Sequence, residues 1–217
     1  KTLREKGYIP ITAGNMEGWF IDVCFFRSFV DRYAGPEWNR SMMNKAGAKF
    51  TDPEFVAALN HMKKYVEMDA FNEDINSLDY IQGRSHFYNG KAAMLFDGNG
   101  GILPYTQEAP KEILDNMEVV PMPKLEGGKS DGLPGTAGWS IGYSAKADKE
   151  KLPAIEKILK VVGSSDFANI IAENSGTPAY KTTDYDKSKL PELMNKYNEM
   201  ITNVPVTFMA SFSPAVN

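Results

Sequence analysis

Short apolar runs alternate along this chain with longer segments in which apolar side chains recur at helical spacing. One such segment spans residues 18–33, before Gly35-Pro36, and Thr51-Asp52-Pro53-Glu54 is a helix start with a cap residue and an early proline. Further helices are predicted over 79–87, 152–162, 165–175 and 191–201. The predicted strands are 92–96, 117–120 and 139–143, and 8–11 is predicted to be a short extended segment. Because strands and helices alternate, the sequence predicts an α/β fold.

A glycine-rich loop follows the predicted strand over 92–96. Its sequence is Asp97-Gly98-Asn99-Gly100-Gly101, and three glycines in five residues allow a ligand to approach the main chain closely. The spacing matches neither the GxxxxGK[ST] nor the GxGxxG phosphate-binding pattern. The loop therefore indicates a ligand-binding strand end without identifying the ligand. Asp97 itself is open to two interpretations, a catalytic acid or base or a residue of the turn.

Charge and residue counts exclude several classes of function. The 217 residues carry 24 Lys and Arg against 28 Asp and Glu, a net charge of −4, so no basic surface is expected for nucleic acid. Cys24 is the single cysteine, and His61 and His86 fall in no metal-binding or catalytic pattern. The longest apolar run, 19–26, is broken by Asp22 and is too short to cross a membrane. We predict neither a cofactor nor a metal ion.

Three side chains stand out as candidate contacts for a small solute. Trp19 and Trp139 could each stack on the apolar face of a sugar ring or could pack in the core. Glu17 could be a polar ligand contact or a partner for the dipole of the following helix. Composition and spacing do not decide between these alternatives.

Five stretches, in order, resemble the extracellular solute-binding proteins of ABC importers, of the maltose- and oligosaccharide-binding type. One matches the family's F-x-x-G-K-A-A-M-x-x-x-G pattern closely, with Phe87-Tyr88-Asn89-Gly90-Lys91-Ala92-Ala93-Met94 followed by Phe96-Asp97-Gly98. The others are Gly7-Tyr8-Ile9-Pro10-Ile11 with Trp19, Thr51-Asp52-Pro53-Glu54, Val120-Pro121-Met122-Pro123 with Gly127-Gly128, and Phe167-Ala168 with Gly176-Thr177-Pro178-Ala179. Each motif is weak alone, but their common order covers most of the chain.

The resemblance implies a periplasmic-binding-protein-like fold of class II, in which two α/β lobes are joined by crossover strands. Residues 1–123 would form most of the second lobe, 124–176 would belong to the first lobe, and 177–217 would return to the second. The chain is accordingly expected to be a fragment that lacks the front of the protein, with one lobe near complete and the other partial.

The same resemblance implies where the ligand binds. The family's cleft contacts carry over onto Trp19, Asp97 with Gly98, and Gly138 with Trp139, and Phe212 is a further candidate near the carboxyl end. Many relatives have a tryptophan just after the strand-end glycine, where this chain has Asn99-Gly100. The stacking arrangement is therefore expected to differ from theirs.

The implied function is capture of a sugar or oligosaccharide and its delivery to an ABC permease. The protein would be monomeric, extracellular or periplasmic, and lipid-anchored through an amino-terminal region absent from this chain. It would not be an enzyme. One alternative is a glycan hydrolase, for which Glu17 and Asp97 are the candidate carboxylates. A binding protein for a non-sugar solute and a structural or protein-interaction domain are the others.

Overall fold

The computed structural model describes residues 2–135, 141–174, 176 and 185–208. In this part of the chain, helices and short strands alternate as predicted. The strands are β1 (Ile9–Thr12), β2 (Ala92–Leu95), β3 (Leu133–Gly135) and β4 (Val206–Phe208). The α-helices are α1 (Thr2–Glu5), α2 (Arg27–Met43), α3 (Pro53–Glu67), α4 (Ser85–Tyr88), α5 (Ile102–Glu108), α6 (Lys111–Asp115), α7 (Leu152–Val162), α8 (Ser165–Glu173) and α9 (Glu192–Asn203). A π-helix, Phe20–Phe26, precedes α2.

Strands β1 and β2 form a parallel pair. Ile9 lies opposite Ala92 and Thr12 opposite Leu95, so both strands end at the same edge of the sheet. The predicted strand over 92–96 and the predicted extended segment over 8–11 are confirmed to within one residue at each end. Parallel strands need a crossover connection, and here the π-helix, α2, α3 and α4 supply it.

A second parallel pair, β3 with β4, lies outside the predicted strands. The predicted strand over 117–120 is wrong, because these residues pair with no described strand and Val120 is 76% exposed. Prolines follow at 121 and 123, and a proline has no N–H to donate to a sheet. The predicted strand over 139–143 lies partly outside the described residues, and 141–143 have no strand conformation.

The predicted stop at Gly35-Pro36 is confirmed. Gly35 has a non-helical φ of 78° and ψ of 174°, so α2 consists of two helical segments separated by a kink, and the second begins at Pro36 and ends at Met43. Glycine allows the positive φ, and proline suits the first position of a helical segment. The predicted helix over 79–87 is shorter, because residues 80–81 form a turn before a 3₁₀ turn, Gln82–Arg84, and α4.

Two apolar clusters hold the described elements together. The larger one packs the π-helix, α2 and α3 against β1, with Phe25, Phe29 and Phe55 at its centre. The smaller one joins α5 to α9 through Ile102, Tyr105 and Met194. By contrast, α7 has no buried residue among those described, and its Ile158 and Val161 are exposed. The core around β1 and β2 therefore draws on α9 but not on α7.

Two buried charged residues of α2, Asp31 and Arg32, bind segments that are distant in the sequence. The Arg32 guanidinium donates to the carbonyl oxygens of Met122 at 2.6 Å and Gly132 at 2.5 Å. The neighbouring Asp31 carboxylate accepts hydrogen bonds from Ser130 at 3.3 Å and Thr207 at 2.7 Å. Both charged residues are fully buried. Helix α2 thus holds the 122–132 segment and β4 at one point.

His61 of α3 lies inside the larger cluster, with its ring against Phe29 and Tyr65. Its Nδ1 lies 3.0 Å from the Tyr33 hydroxyl, and its Nε2 is buried with no partner among the described atoms. Burial, aided by the nearby Lys64 charge, lowers the pKa of His61. The folded chain therefore favours neutral His61.

This burial predicts a loss of stability in mild acid. Below a pH of about 6.5 the unfolded chain gains a proton on His61 that the folded chain binds less readily, so the free energy of unfolding falls by at most about 1.4 kcal/mol per pH unit. Urea unfolding at pH 7.5 and 5.5 measures the change. The variant His61→Phe should show a smaller drop between the two values. An equal drop in the variant would contradict this assignment.

Candidate functional site

The carboxyl ends of β1 and β2 place two loops side by side at one edge of the sheet. Residues 13–19 follow β1, and residues 96–101 follow β2. In open α/β sheets, ligands bind outside the carboxyl ends of the strands. This edge is therefore the candidate functional site.

The loop after β1 is held rigidly by close backbone contact with residues 78–83. Thr12 Oγ1 donates to the Gly83 carbonyl at 2.5 Å, and the buried Asn72 side chain accepts from the Ala13 N–H at 2.9 Å. A Cβ on Gly83 would lie 2.1 Å from the Gly14 nitrogen, so only glycine allows this approach. The loop enters the site in a fixed position for this reason.

Trp19 ends this loop and presents part of its indole ring to solvent. It is 41% exposed, so the core-packing alternative does not describe it. Its ring centroid lies 5.1 Å from that of Tyr80, and 5.7 Å from that of the buried Phe20, which it meets edge to face. Glu17, two residues earlier on the same loop, is exposed. Trp19 thus offers an aromatic surface supported from beneath by other rings.

Asp97, at the end of β2, is the centre of a buried polar cluster. Its carboxylate accepts hydrogen bonds from the Tyr80 hydroxyl at 2.5 Å, the Tyr105 hydroxyl and the Gly98 N–H at 2.6 Å. It also pairs with Arg84 at 3.3 Å, and its side chain is only 8% exposed. We call Tyr80, Arg84, Asp97 and Tyr105 the strand-end cluster.

In the strand-end cluster, two neutral tyrosine side chains surround the ion pair between Arg84 and Asp97. The Arg84 guanidinium carbon lies 4.5 Å from the Tyr80 ring centroid and 5.0 Å from that of Tyr105, within cation–π range. Burial and the Asp97 charge both raise the pKa of Tyr80 and of Tyr105. Both hydroxyls therefore stay protonated and donate hydrogen bonds to the Asp97 carboxylate.

The glycines of the 98–101 loop divide into two kinds. A Cβ on Gly101 would lie 2.2 Å from the Tyr105 hydroxyl oxygen and 2.6 Å from Asp97 Oδ2, so this glycine makes room for the strand-end cluster. A Cβ on Gly98 or Gly100 would meet nothing within 4 Å. Gly98 is exposed; its N–H donates to Asp97 and its carbonyl oxygen accepts from the Gly101 N–H, which leaves one lone pair of that oxygen to face a ligand.

The structure brings together some of the predicted site residues. Trp19, Asp97 and Gly98 lie at one sheet edge, and Glu17 is on the loop that carries Trp19. Gly138, Trp139 and Phe212 lie outside the described residues. Sequence reasoning missed Tyr80, Arg84 and Tyr105, since no local motif signals a contact that forms only when separate segments pack together.

Metal ligands, a reactive thiol and a membrane-spanning helix were the other features sought among the described residues. No group of three or more His, Cys, Asp or Glu residues there could hold a metal ion. Burial raises the pKa of the Cys24 thiol to about 11, which keeps it protonated and a poor nucleophile. Among the described helices, none has the length and apolar character needed to cross a membrane.

A family model and several solved structures are similar to this chain. A sequence model described as bacterial extracellular solute-binding protein matches residues 1–169. A comparison with curated protein sequences found no match. Among solved structures, a chitin oligosaccharide binding protein is similar with a TM-score of 0.79 and 23% identity, over 94% of this chain and 51% of that one.

Two further structures are similar over comparable lengths. One comes from work on xylan utilization by the thermophilic bacterium Caldanaerobius polysaccharolyticus, with a TM-score of 0.77 and 26% identity over 96% of this chain and 53% of that one. The other is a sugar transporter from Bacillus licheniformis in complex with stachyose, with a TM-score of 0.65 and 15% identity over 96% and 53%. This chain spans about half the length of each.

Proposed function

We propose, because the chain belongs to the family of bacterial extracellular solute-binding proteins, that it is part of the substrate-binding component of an ABC importer. Its ligand would be a sugar or oligosaccharide. The observation that carries this proposal is the partly exposed Trp19 ring, supported by Tyr80 at the carboxyl end of a parallel strand pair. A flat aromatic surface at such an edge suits the apolar face of a sugar ring.

The predicted fold class is confirmed: the chain has the α/β, periplasmic-binding-protein-like two-lobe fold, with one lobe near complete and part of the other. The division into 1–123, 124–176 and 177–217 remains a proposal. The packing of α9 on α5 supports the return of the chain to the second lobe after 177. The absence of buried residues from α7 supports its assignment to the other lobe.

Binding in the interlobe cleft would combine stacking with polar contacts. Trp19 supplies the ring, and Glu17 and the Gly98 carbonyl oxygen are the proposed polar partners, since both residues are exposed in the loops at this sheet edge. Gly138, Trp139 and Phe212 would complete the site from the other segments. The similar proteins whose descriptions name a chitin oligosaccharide and stachyose favour a carbohydrate ligand.

The family consists of binding proteins, and it acts outside the cytoplasm. We extend this to a protein that catalyses no reaction, works as a monomer, is held at the membrane by a lipid anchor and delivers its ligand to permease subunits. The strand-end cluster fits a binding role, because all partners of the Asp97 carboxylate are internal and a glycosidase acid or nucleophile must face its substrate.

The proposal predicts that Trp19→Ala weakens sugar binding by about 30-fold, since truncating a well-placed aromatic contact costs about 2 kcal/mol. Titration calorimetry with chitotetraose, xylotetraose and stachyose would measure the dissociation constants. Tyr8→Ala is the matched control, because Tyr8 is an equally exposed aromatic residue, 44% exposed, at the opposite end of β1.

Unchanged affinity in Trp19→Ala would remove Trp19 from the site. If the unaltered protein bound none of the three sugars, the carbohydrate assignment would fail and other solutes would be tested. Release of shortened sugars during incubation would instead identify a hydrolase.

A further inference from the structure

Tyr80 lies between the exposed Trp19 ring and the buried interior. One side of its ring meets Trp19 at 5.1 Å and Phe20 at 5.2 Å between centroids, and the Arg84 guanidinium lies over it at 4.5 Å. Among the aromatic side chains that the structure describes, Tyr80 and Phe20 are the two that pack on Trp19. The orientation of Trp19 therefore depends on where Tyr80 is held.

Asp97 determines the position of Tyr80. The Tyr80 hydroxyl donates to Asp97 Oδ1 at 2.5 Å, while Asp97 Oδ2 accepts from Tyr105 and pairs with Arg84 at 3.3 Å. Hydrogen bonds to a charged acceptor are stronger than those between neutral groups. Since Tyr105 belongs to the α5 and α9 cluster, this carboxylate connects that cluster to the aromatic surface.

We infer that Tyr80 and Asp97 are positioning residues, which fix the Trp19 ring in its ligand-accepting orientation and do not themselves contact the solute. The inference rests on the proposed function, in which Trp19 is the ligand contact. It assigns Asp97 a role different from the direct contact predicted from the sequence, because its carboxylate is occupied by four internal partners.

The ¹⁹F NMR spectrum of protein labelled with 5-fluorotryptophan tests this inference without any ligand. The three tryptophan resonances are assigned by single Trp→Phe substitutions. Tyr80→Leu removes the ring that supports Trp19, and Tyr80→Phe removes only the Tyr80 hydroxyl. Asp97→Asn removes the negative charge that accepts the hydrogen bond from this hydroxyl. Trp38, whose indole N–H donates to Asp52 at 2.8 Å, is the internal reference.

We expect the Trp19 resonance to shift by more than its linewidth in Tyr80→Leu and by a smaller amount in Tyr80→Phe and Asp97→Asn. The Trp38 resonance should stay in place, as it would not in a globally loosened fold. Tyr33→Phe is the matched control, since it removes a tyrosine hydroxyl that faces His61 instead. A Trp19 resonance unchanged in all three variants would overturn the inference, and if Tyr80→Leu fails to fold the other two decide.

A titration of the same variants with chitotetraose, xylotetraose and stachyose separates this inference from the proposed function. Tyr80→Leu should bind about 3- to 10-fold more weakly, as expected for loss of one aromatic pair. Weaker binding by Asp97→Asn with an unmoved Trp19 resonance would identify Asp97 as a direct contact and overturn the inference. If the unaltered protein binds none of these sugars, the ligand assignment fails, while the NMR shifts still decide the positioning role.

Discussion

Replacing Arg32 with methionine is expected to lower the free energy of unfolding by about 3 to 5 kcal/mol, the usual cost of breaking a buried charged network from one side. The variant leaves the carbonyl oxygens of Met122 and Gly132 without their guanidinium donor. It also leaves the buried Asp31 carboxylate without the adjacent positive charge. Methionine replaces the aliphatic part of the arginine side chain, so the loss would come mainly from polar groups left without partners.

Urea unfolding followed by circular dichroism would measure this loss. Arg40→Met is the matched control, because Arg40 is on the same helix and is exposed, so its replacement should cost about 0.5 kcal/mol or less. Equal unfolding free energies for the two variants would contradict the assigned role of Arg32.

The loss should also depend on pH in a defined direction. Burial raises the pKa of Asp31, and hydrogen bonds from Thr207 and Ser130 and the Arg32 charge act against that rise. Without Arg32 the ionised form becomes still less favourable, so the pKa of Asp31 rises further. The destabilisation by Arg32→Met should therefore be larger at pH 7 than near pH 4, where protonation removes the uncompensated charge.

The described geometry gives Arg32 and Asp31 a place in the proposed two-lobe protein. Both residues bond to the 122–132 segment, and Asp31 also bonds to Thr207 of β4. The 122–132 segment includes the boundary at 123/124 where the chain is proposed to pass between lobes, and β4 lies in the stretch proposed to return to the second lobe. A fixed anchor on α2 would let the crossover at this boundary bend from a defined point when the lobes close on a ligand.

Local sequence patterns predicted the central strand pair and most of the helices. The apolar runs at 8–11 and 92–96 and the capped start at 51–54 carry enough information within a few residues to define β1, β2 and α3. The order of motifs then indicated the family, which in turn placed Trp19 and Gly98 at one edge. The alternation of strands and helices alone would not have done so.

What the sequence could not predict depends on contacts between distant segments. Strands β3 and β4 contain Leu133-Pro134-Gly135 and Val206-Thr207, which have no distinctive strand pattern, and they pair across more than 70 residues. Tyr80 and Arg84 fall in a segment with an ordinary helical pattern, and their packing against Asp97 appears only in three dimensions. Close packing of glycines is likewise invisible in a single sequence.

Gly83→Ala is the second substitution for which we expect a large loss in the free energy of unfolding. The Gly83 α-carbon is packed against backbone atoms that cannot move aside. In Gly83→Ala the new Cβ would lie 2.1 Å from the Gly14 nitrogen, 2.4 Å from the Ala13 carbonyl carbon and 2.7 Å from the Gly14 α-carbon. Overpacking a rigid site typically costs about 1 to 3 kcal/mol and occasionally more. We expect about 3 kcal/mol here, since no flexible side chain can relieve the contact.

Gly83→Ala should change the candidate site as well as lower the free energy of unfolding. Separation of residues 13–14 from 83 would break the bond from Thr12 Oγ1 to the Gly83 carbonyl and displace the loop that carries Trp19. Gly83→Ala should therefore lose sugar affinity in calorimetry and shift the Trp19 ¹⁹F resonance, in addition to unfolding at lower urea concentration. The substitution acts on Trp19 without altering any side chain that touches it.

Gly142→Ala provides the control, because a Cβ there meets no described atom within 4 Å and the backbone is not in the left-handed region. Its unfolding free energy should stay within about 0.5 kcal/mol of the unaltered protein. Gly14→Ala tests the same contact from its other side, where the new Cβ would lie 1.7 Å from the Asp79 carbonyl oxygen, and it should reproduce both effects. If Gly83→Ala and Gly14→Ala kept full stability and affinity, the close packing of these loops would not be what places Trp19 at the strand end.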